Sequence, residues 1–239
     1  MSDLQVERDG PLTRVILDRP QKANALAPDL VEALLREVEQ ATTDGTRLMS
    51  FRANGRNFSA GFDFTDFEEC TRAELLWRFV RIEQLLQAVY HAPFATAAFA
   101  QGKNFGAGAD LFISCETRIA TPEATFRMPG LLFGIQLGTR RLAARIGQSN
   151  ALSMLSATRT IAGTECVDTG FVTRLTPQAD WVDEERELVR AASVLDPDAA
   201  RRLRCATVDD TRASDLADLV TSATHGDLKE RIRQYRRGS

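Results

Sequence analysis

Histidine is nearly missing from this sequence, which has only His91 and His225 among 239 residues. Neither sits beside a candidate nucleophile, so a serine–histidine pair has no support, and both read as surface residues. Cysteine is scarce as well. Cys70, Cys115, Cys166 and Cys205 lie far apart with no CxxC pair. That spacing excludes a zinc cluster, and a disulfide framework does not suit a chain of this size. Free thiols and no bound metal are expected. No run approaches the roughly 18 apolar residues of a membrane span, and "MSDLQVERDG" carries no apolar signal region. A strong charge bias is also absent. The formal charge is −3 with both signs spread along the chain, which gives a nucleic-acid partner no purchase. These absences leave a non-membrane protein, expected in the cytoplasm.

With 44% hydrophobic residues the chain can bury a full core. The pattern is mixed α and β. "LQVERDGPLTRVILDR" reads as two strands joined at Asp9-Gly10-Pro11. "APDLVEALLREVEQAT" is an amphipathic helix with Pro28 in its first turn and Leu30, Leu34, Leu35 and Val38 on one face. A strand follows at "RLMSFRA", then the loop "NGRNFSAGFDF". The next helix opens on a capping box, Thr71 and Glu74, and keeps Leu75, Phe79, Ile82, Leu86 and Val89 at helical spacing. Pro93 stops it. "FATAAFA" is a short buried strand, and "TRIATPEATFRM" reads as strand, turn and strand. From about Ala179 the chain turns charged and helical, with no Pro/Ser-rich linker before it. An α/β core over residues 1–178 with a helical region over 179–239 is the expected organisation.

The richest stretch is "QGKNFGAGADLFIS", with Gly102, Gly106 and Gly108 ahead of Asp110. "GAGADL" lacks the third glycine of a dinucleotide fingerprint, and Lys103 is not followed by Ser or Thr as a P-loop requires. Two readings stay open. The small residues permit close packing at a strand-to-helix turn, or the turn bares N–H groups at a helix start, where unpaired donors and the dipole favour a developing negative charge. The loop "NGRNFSAGFDF" exposes backbone in the same way around Ser59, Ala60 and Gly61.

Taken together these segments resemble the enoyl-CoA hydratase/isomerase (crotonase) superfamily. "LDRPQKANALAPDLVEAL", "FRANGRNFSAGFDF", "FATAAFAQGKNFGAGADLFISCETRIATPEATFRMPGLLFG" and "LSATRTIAGTECVDTGFVTRL" match its blocks in order, from Leu4 to Pro177. The resemblance implies a spiral of ββα units with a C-terminal helical region that assembles trimers or hexamers. It also implies an acyl-CoA thioester as substrate, with coenzyme A part of that substrate and no separate cofactor. The thioester oxygen would sit between two backbone N–H groups, by position those of Ala60 and Ala107, which stabilise an enolate. Arg19, Lys22 and Ala23 fall where the family holds the nucleotide end of CoA, and Lys22 reads equally as a solvated lysine. Gly61, Asp63, Phe105, Gly106, Met128 and Gly130 complete the substrate-binding set that the resemblance implies.

Two catalytic glutamates would serve a hydratase of this family. Asp110 occupies the first position, one methylene shorter, and Pro129-Gly130 stands where the second carboxylate is expected. Ala107 replaces a glycine, which requires its φ to be negative. "GIQLGTRRL" is about three residues shorter than the family's loop. Three readings follow: an enolate enzyme with Asp110 as sole acid/base, a hydratase with a substitute acid among Asp66, Glu68 and Glu69, or a non-catalytic acyl-CoA-binding protein. Asp110 is expected to face the pocket, walled by Phe105, Phe126 and Met128. "KERIRQYRR" reads as a solvated charged helix.

Overall fold

A computed structural model describes residues 3–238. The chain opens with β1 (Leu4–Asp9) and β2 (Leu12–Leu17), an antiparallel hairpin pairing Leu4 with Leu17 and Asp9 with Leu12. Gly10 makes the turn at φ +55, a conformation open to glycine at no steric cost. Then α1 (Pro28–Ala41) leads to β3 (Leu48–Ala53), and α2 (Arg72–Tyr90) leads to β4 (Ala95–Ala100). The Thr71–Glu74 capping box forms as its spacing predicts, with the Thr71 amide 2.7 Å from the Glu74 carboxylate.

The stretch read as a strand-to-helix turn also contains a short strand. It builds β5 (Lys103–Phe105) before α3 (Ala107–Ser114). "TRIATPEATFRM" forms β6 (Thr117–Ala120) and β7 (Thr125–Arg127), but the two go to different sheets. Next come α4 (Thr139–Ile146), α5 (Gln148–Ala157), β8 (Ile161–Ala162), α6 (Gly163–Asp168) and β9 (Arg174–Leu175). Four helices close the chain: α7 (Trp181–Ala192), α8 (Pro197–Thr207), α9 (Arg212–Thr224) and α10 (Leu228–Arg237).

The main sheet runs β1-β2-β3-β4-β6-β9, parallel from β2 onward, and the small one runs β5-β7-β8. This is an α/β fold with a C-terminal helical region. The apolar stripes predicted for α1 and α2 are buried in one core, with Leu35 only partly buried at its margin, while Leu12, Leu48, Phe99 and Ile119 meet Trp181 of α7 in a smaller one. The last helices therefore pack on the core: Glu185 of α7 is buried against Arg14 and Arg52 of the sheet, and Trp181 lies 5.4 Å from Phe99. Cys70, Cys115 and Cys166 are buried free thiols and Cys205 is an exposed one. Among the described residues no helix is long and apolar enough to cross a membrane.

Candidate active site

Both glycine-rich loops leave the C-terminal ends of the adjacent parallel strands β3 and β4 and pack against each other. The Phe105 amide donates to Ser59 O at 3.1 Å. A Cβ on Gly108 would lie 2.4 Å from Ser59 O, and one on Gly61 would lie 2.3 Å from Phe105 O and 3.0 Å from Ala107 N. No side chain fits at either point, so close packing accounts for these two glycines. The same packing carries the backbone after Gly61 up to the start of α3. Gly106, at φ 48 and ψ −126, caps that helix, and Ala107 is its first residue with an ordinary negative φ. The Ala107 amide has no acceptor among the described residues, as befits the first turn of a helix. Both readings of the glycines thus hold at once.

The Ala60 expectation needs correcting. Its N–H donates to Ala23 O at 2.9 Å, so it is already used. That carbonyl is aimed by the consecutive left-handed residues Ala23 and Asn24, at φ 48 and 53. Asn24 is fully buried, and its side-chain amide donates to Asn54 O and Asn57 O, both at 2.9 Å, tying the segment to the loop. The Gly61 N–H lies 3.2 Å from Ser59 Oγ, which in turn donates to Asn24 O at 2.8 Å. Ser59 is therefore a brace and not a nucleophile. Past Ala60 and Gly61, the next amide, that of Phe62, has no acceptor among the described residues.

A cavity of about 260 Å³ opens where the loops meet. Ala107 and Gly106 lie on its wall with Asp110, one helical turn further along α3. Asp110 is the one carboxylate among the described lining residues. It is 3% exposed, and its Oδ1 has no hydrogen-bond partner among the described residues. Gly138, at φ +64, makes room for it: a Cβ there would lie 2.3 Å from Oδ1. Burial pushes the Asp110 pKa well above the usual carboxylate value and Glu83 adds to the rise, while the Arg141 charge opposes it. Behind it, fully buried Arg141 of α4 donates to Glu83 of α2 at 2.8 Å and to Asp215 of α9 at 3.1 Å. A carboxyl group held so, one turn from a free amide, can exchange a proton with whatever that amide holds.

The sequence profile described as "Enoyl-CoA hydratase/isomerase" matches residues 7–226. The chain belongs to that family. It is 34% identical over 180 residues to a Bacillus subtilis protein named as a probable enoyl-CoA hydratase, covering 72% of this chain and 67% of the relative. A crystal structure from Bordetella parapertussis, assigned to the enoyl-CoA hydratase/isomerases, superposes with a TM-score of 0.96 at 46% identity over 98% of each chain. The enoyl-CoA hydratase of Bacillus halodurans shares the fold, with a TM-score of 0.86 at 18% identity over 98% of this chain and all of that one. This protein is thus an enzyme of the enoyl-CoA hydratase/isomerase family, with acyl-CoA thioesters as its substrate class.

Within this family member, Ala60, Phe105, Gly106, Ala107, Asp110, Met128 and Gly130 all line the cavity. Other residues expected there do not. Lys22 is exposed at the end of a short 3-10 turn over Pro20–Lys22, and Ala23 serves as the acceptor for Ala60. Asp63 points away to structural partners, accepting from Thr65 N at 2.9 Å and from Arg19. Burial opposes its ionisation, but these bonds to Thr65 and Arg19 outweigh it and hold its pKa down. Phe126 does not wall the cavity: it is fully buried against Phe112 and Phe171. The proposed substitute acids are not at the cavity either. Asp66 is bound to Arg78 at 2.8 Å and Glu68 to Arg233 at 2.7 Å, and none of Asp66, Glu68 and Glu69 lines it. His91 is half-buried at the end of α2, not a surface residue, and burial lowers its pKa.

Sequence reasoning missed Phe62, Phe64, Phe79, Phe133, Ile135, Leu137 and, from α10, Tyr235 and Arg236, all of which line the cavity. The last pair corrects the reading of "KERIRQYRR" as merely solvated. One signal was available: Leu228, Ile232 and Tyr235 keep helical spacing in a mostly charged helix, and Ile232 is fully buried.

Proposed function

We propose that this enzyme moves a proton on a thioester enolate, with Asp110 as its only acid/base and the amides of Phe62 and Ala107 holding the thioester oxygen. The observation that carries this reading is the pairing of a single lining carboxylate with a free helix-start amide in one cavity. With a 3-enoyl thioester bound, the Asp110 carboxylate takes a proton from the carbon next to the carbonyl. The electron pair moves onto the carbonyl oxygen, where fixed donors stabilise the developing charge more than they stabilise the substrate. Asp110 then returns the proton at the far end of the shifted double bond and is a carboxylate again. A trimeric or hexameric assembly and a cytoplasmic location belong to the same proposal.

Hydration of a 2-enoyl thioester needs a second group to position water and move its protons. Gly130 stands where the family resemblance places that group, and it offers no side chain. Purified protein given 3-enoyl-CoA, crotonyl-CoA and malonyl-type thioesters is expected to isomerise the first much faster than it hydrates the second. Crotonyl-CoA hydration outpacing isomerisation would overturn the proposal. Gly130→Glu is expected to raise hydration by about tenfold or more, short of the 10²–10⁴ that a well-placed acid/base supplies. A Cβ there would meet Ile135 O at 3.0 Å, which a shift of a few tenths of an ångström relieves.

The amide itself can be tested by a substitution that removes its hydrogen. Proline is well tolerated at the first position of a helix because its missing N–H makes no helical bond. Ala107→Pro therefore removes one donor and leaves α3 in place. Isomerisation kcat should fall about 10²–10³-fold, as for other oxyanion donors. An unchanged kcat would show that the Ala107 amide does not hold the oxygen.

A further inference from the structure

The cavity wall is unusual in its chemistry: Phe62, Phe64, Phe79, Phe105, Phe133 and Tyr235 all face it. Five of these rings form one connected cluster. Phe62 stacks on Phe79 with centroids 4.3 Å apart at 10°, and Phe64 lies 4.9 Å from Phe62. Phe133 takes Phe64 edge-on at 6.0 Å and 82°, and Tyr235 lies 5.1 Å from Phe133. Phe62, Phe79 and Phe133 are each at most 8% exposed, so these rings are held by their packing. The cluster begins at Phe62, the residue whose amide is assigned to the thioester oxygen, so an acyl group meets rings as soon as it leaves the carbonyl.

We infer that the acyl group of the natural substrate carries an aromatic ring close to the thioester carbonyl. This rests on the proposed function, because it takes the cavity to be the acyl pocket. Fixed ring faces and edges offer a further ring the offset and edge-on contacts that aromatic groups prefer at centroid separations of about 4.5–7 Å. A long saturated chain gains no such contacts, and it loses rotational freedom when confined. Volume points the same way, since about 260 Å³ is small for a ligand site and suits a compact, flat group. Among the described lining residues the side chains with polar ends are Asp110, Thr139, Tyr235 and the exposed Arg236, and the rest of the wall is apolar.

Calorimetric titration of the purified protein with phenylacetyl-CoA, octanoyl-CoA and butyryl-CoA tests the inference. Phenylacetyl-CoA should bind at least about tenfold more tightly than octanoyl-CoA. Phe64→Leu, at a half-buried position, should weaken phenylacetyl-CoA by roughly 2–12-fold more than it weakens butyryl-CoA, the range expected for one ring contact. Octanoyl-CoA binding as tightly as phenylacetyl-CoA would overturn the aromatic assignment alone, leaving the thioester site intact. Equal weakening of both ligands by Phe64→Leu would do the same. If none of the three thioesters binds, the proposed function falls with it.

Discussion

Asp110→Asn is expected to abolish exchange of the protons next to the carbonyl of a bound thioester while leaving thioester binding within a few fold. The substitution nearly preserves shape and removes only the titrating group. A general acid/base is worth about 10²–10⁴-fold, so exchange followed by NMR in deuterium oxide should fall by at least the lower figure. Exchange at the wild-type rate would reduce Asp110 to a helix-start residue favoured by the dipole. The same pair of proteins has a second readout. The folded-state pKa of Asp110 is raised above its ordinary value of 3.8 by burial. For a raised acid, the folded form holds its proton after the unfolded form has released it. Stability from this group is complete below about pH 4 and is lost as pH rises through the folded pKa. The Tm of Asp110→Asn minus that of wild type should therefore be constant below about pH 4 and grow from there toward neutrality. A difference that stays flat across the range would show that the carboxyl is not buried in solution.

Arg141→Met should destabilise the fold more than any of the substitutions at the cavity wall. Arg141 and Glu83 are each at most 1% exposed, and Asp215 is 6% exposed. Removing the cation leaves two acids, brought together from α2 and α9, without their shared partner. Breaking such a buried pair costs about 3–5 kcal/mol, and for a domain of this size each kcal/mol lowers Tm by about 2–4 °C. Replacing the pair together, as Arg141→Met with Glu83→Leu, should recover at least about half of the loss, because an apolar substitute carries no desolvation cost. Asp215 keeps Arg140 and Thr211 as partners in that variant. Thermal unfolding of the single and double variants measures both. A double variant no better than the single one would mean that packing, not the orphaned charge, sets the cost.

The sequence by itself determined what depends on near neighbours. The β1–β2 hairpin follows from Asp9-Gly10-Pro11, α2 from its capping box, and the apolar faces of α1 and α2 from their spacing. Each is fixed within a few residues. The identity of Asp110, the bare Gly130 and the free amide of Ala107 were legible for the same reason, since a helix start leaves its first N–H groups unpaired wherever it lies. Tertiary structure alone decided the rest. Ala60 and Phe62 are equally exposed backbone on paper, and only the left-handed Ala23-Asn24 turn, arriving from elsewhere in the chain, uses up one amide and spares the other. Helix α10 was readable as a helix, but its charged composition hid that Tyr235 reaches the cavity. The raised proton affinity of Asp110 likewise belongs to no local pattern. It comes from burial against Gly138 and, against the opposing Arg141 charge on α4, from the Glu83 charge on α2, and an electrostatic environment is a sum over groups that only folding brings within reach.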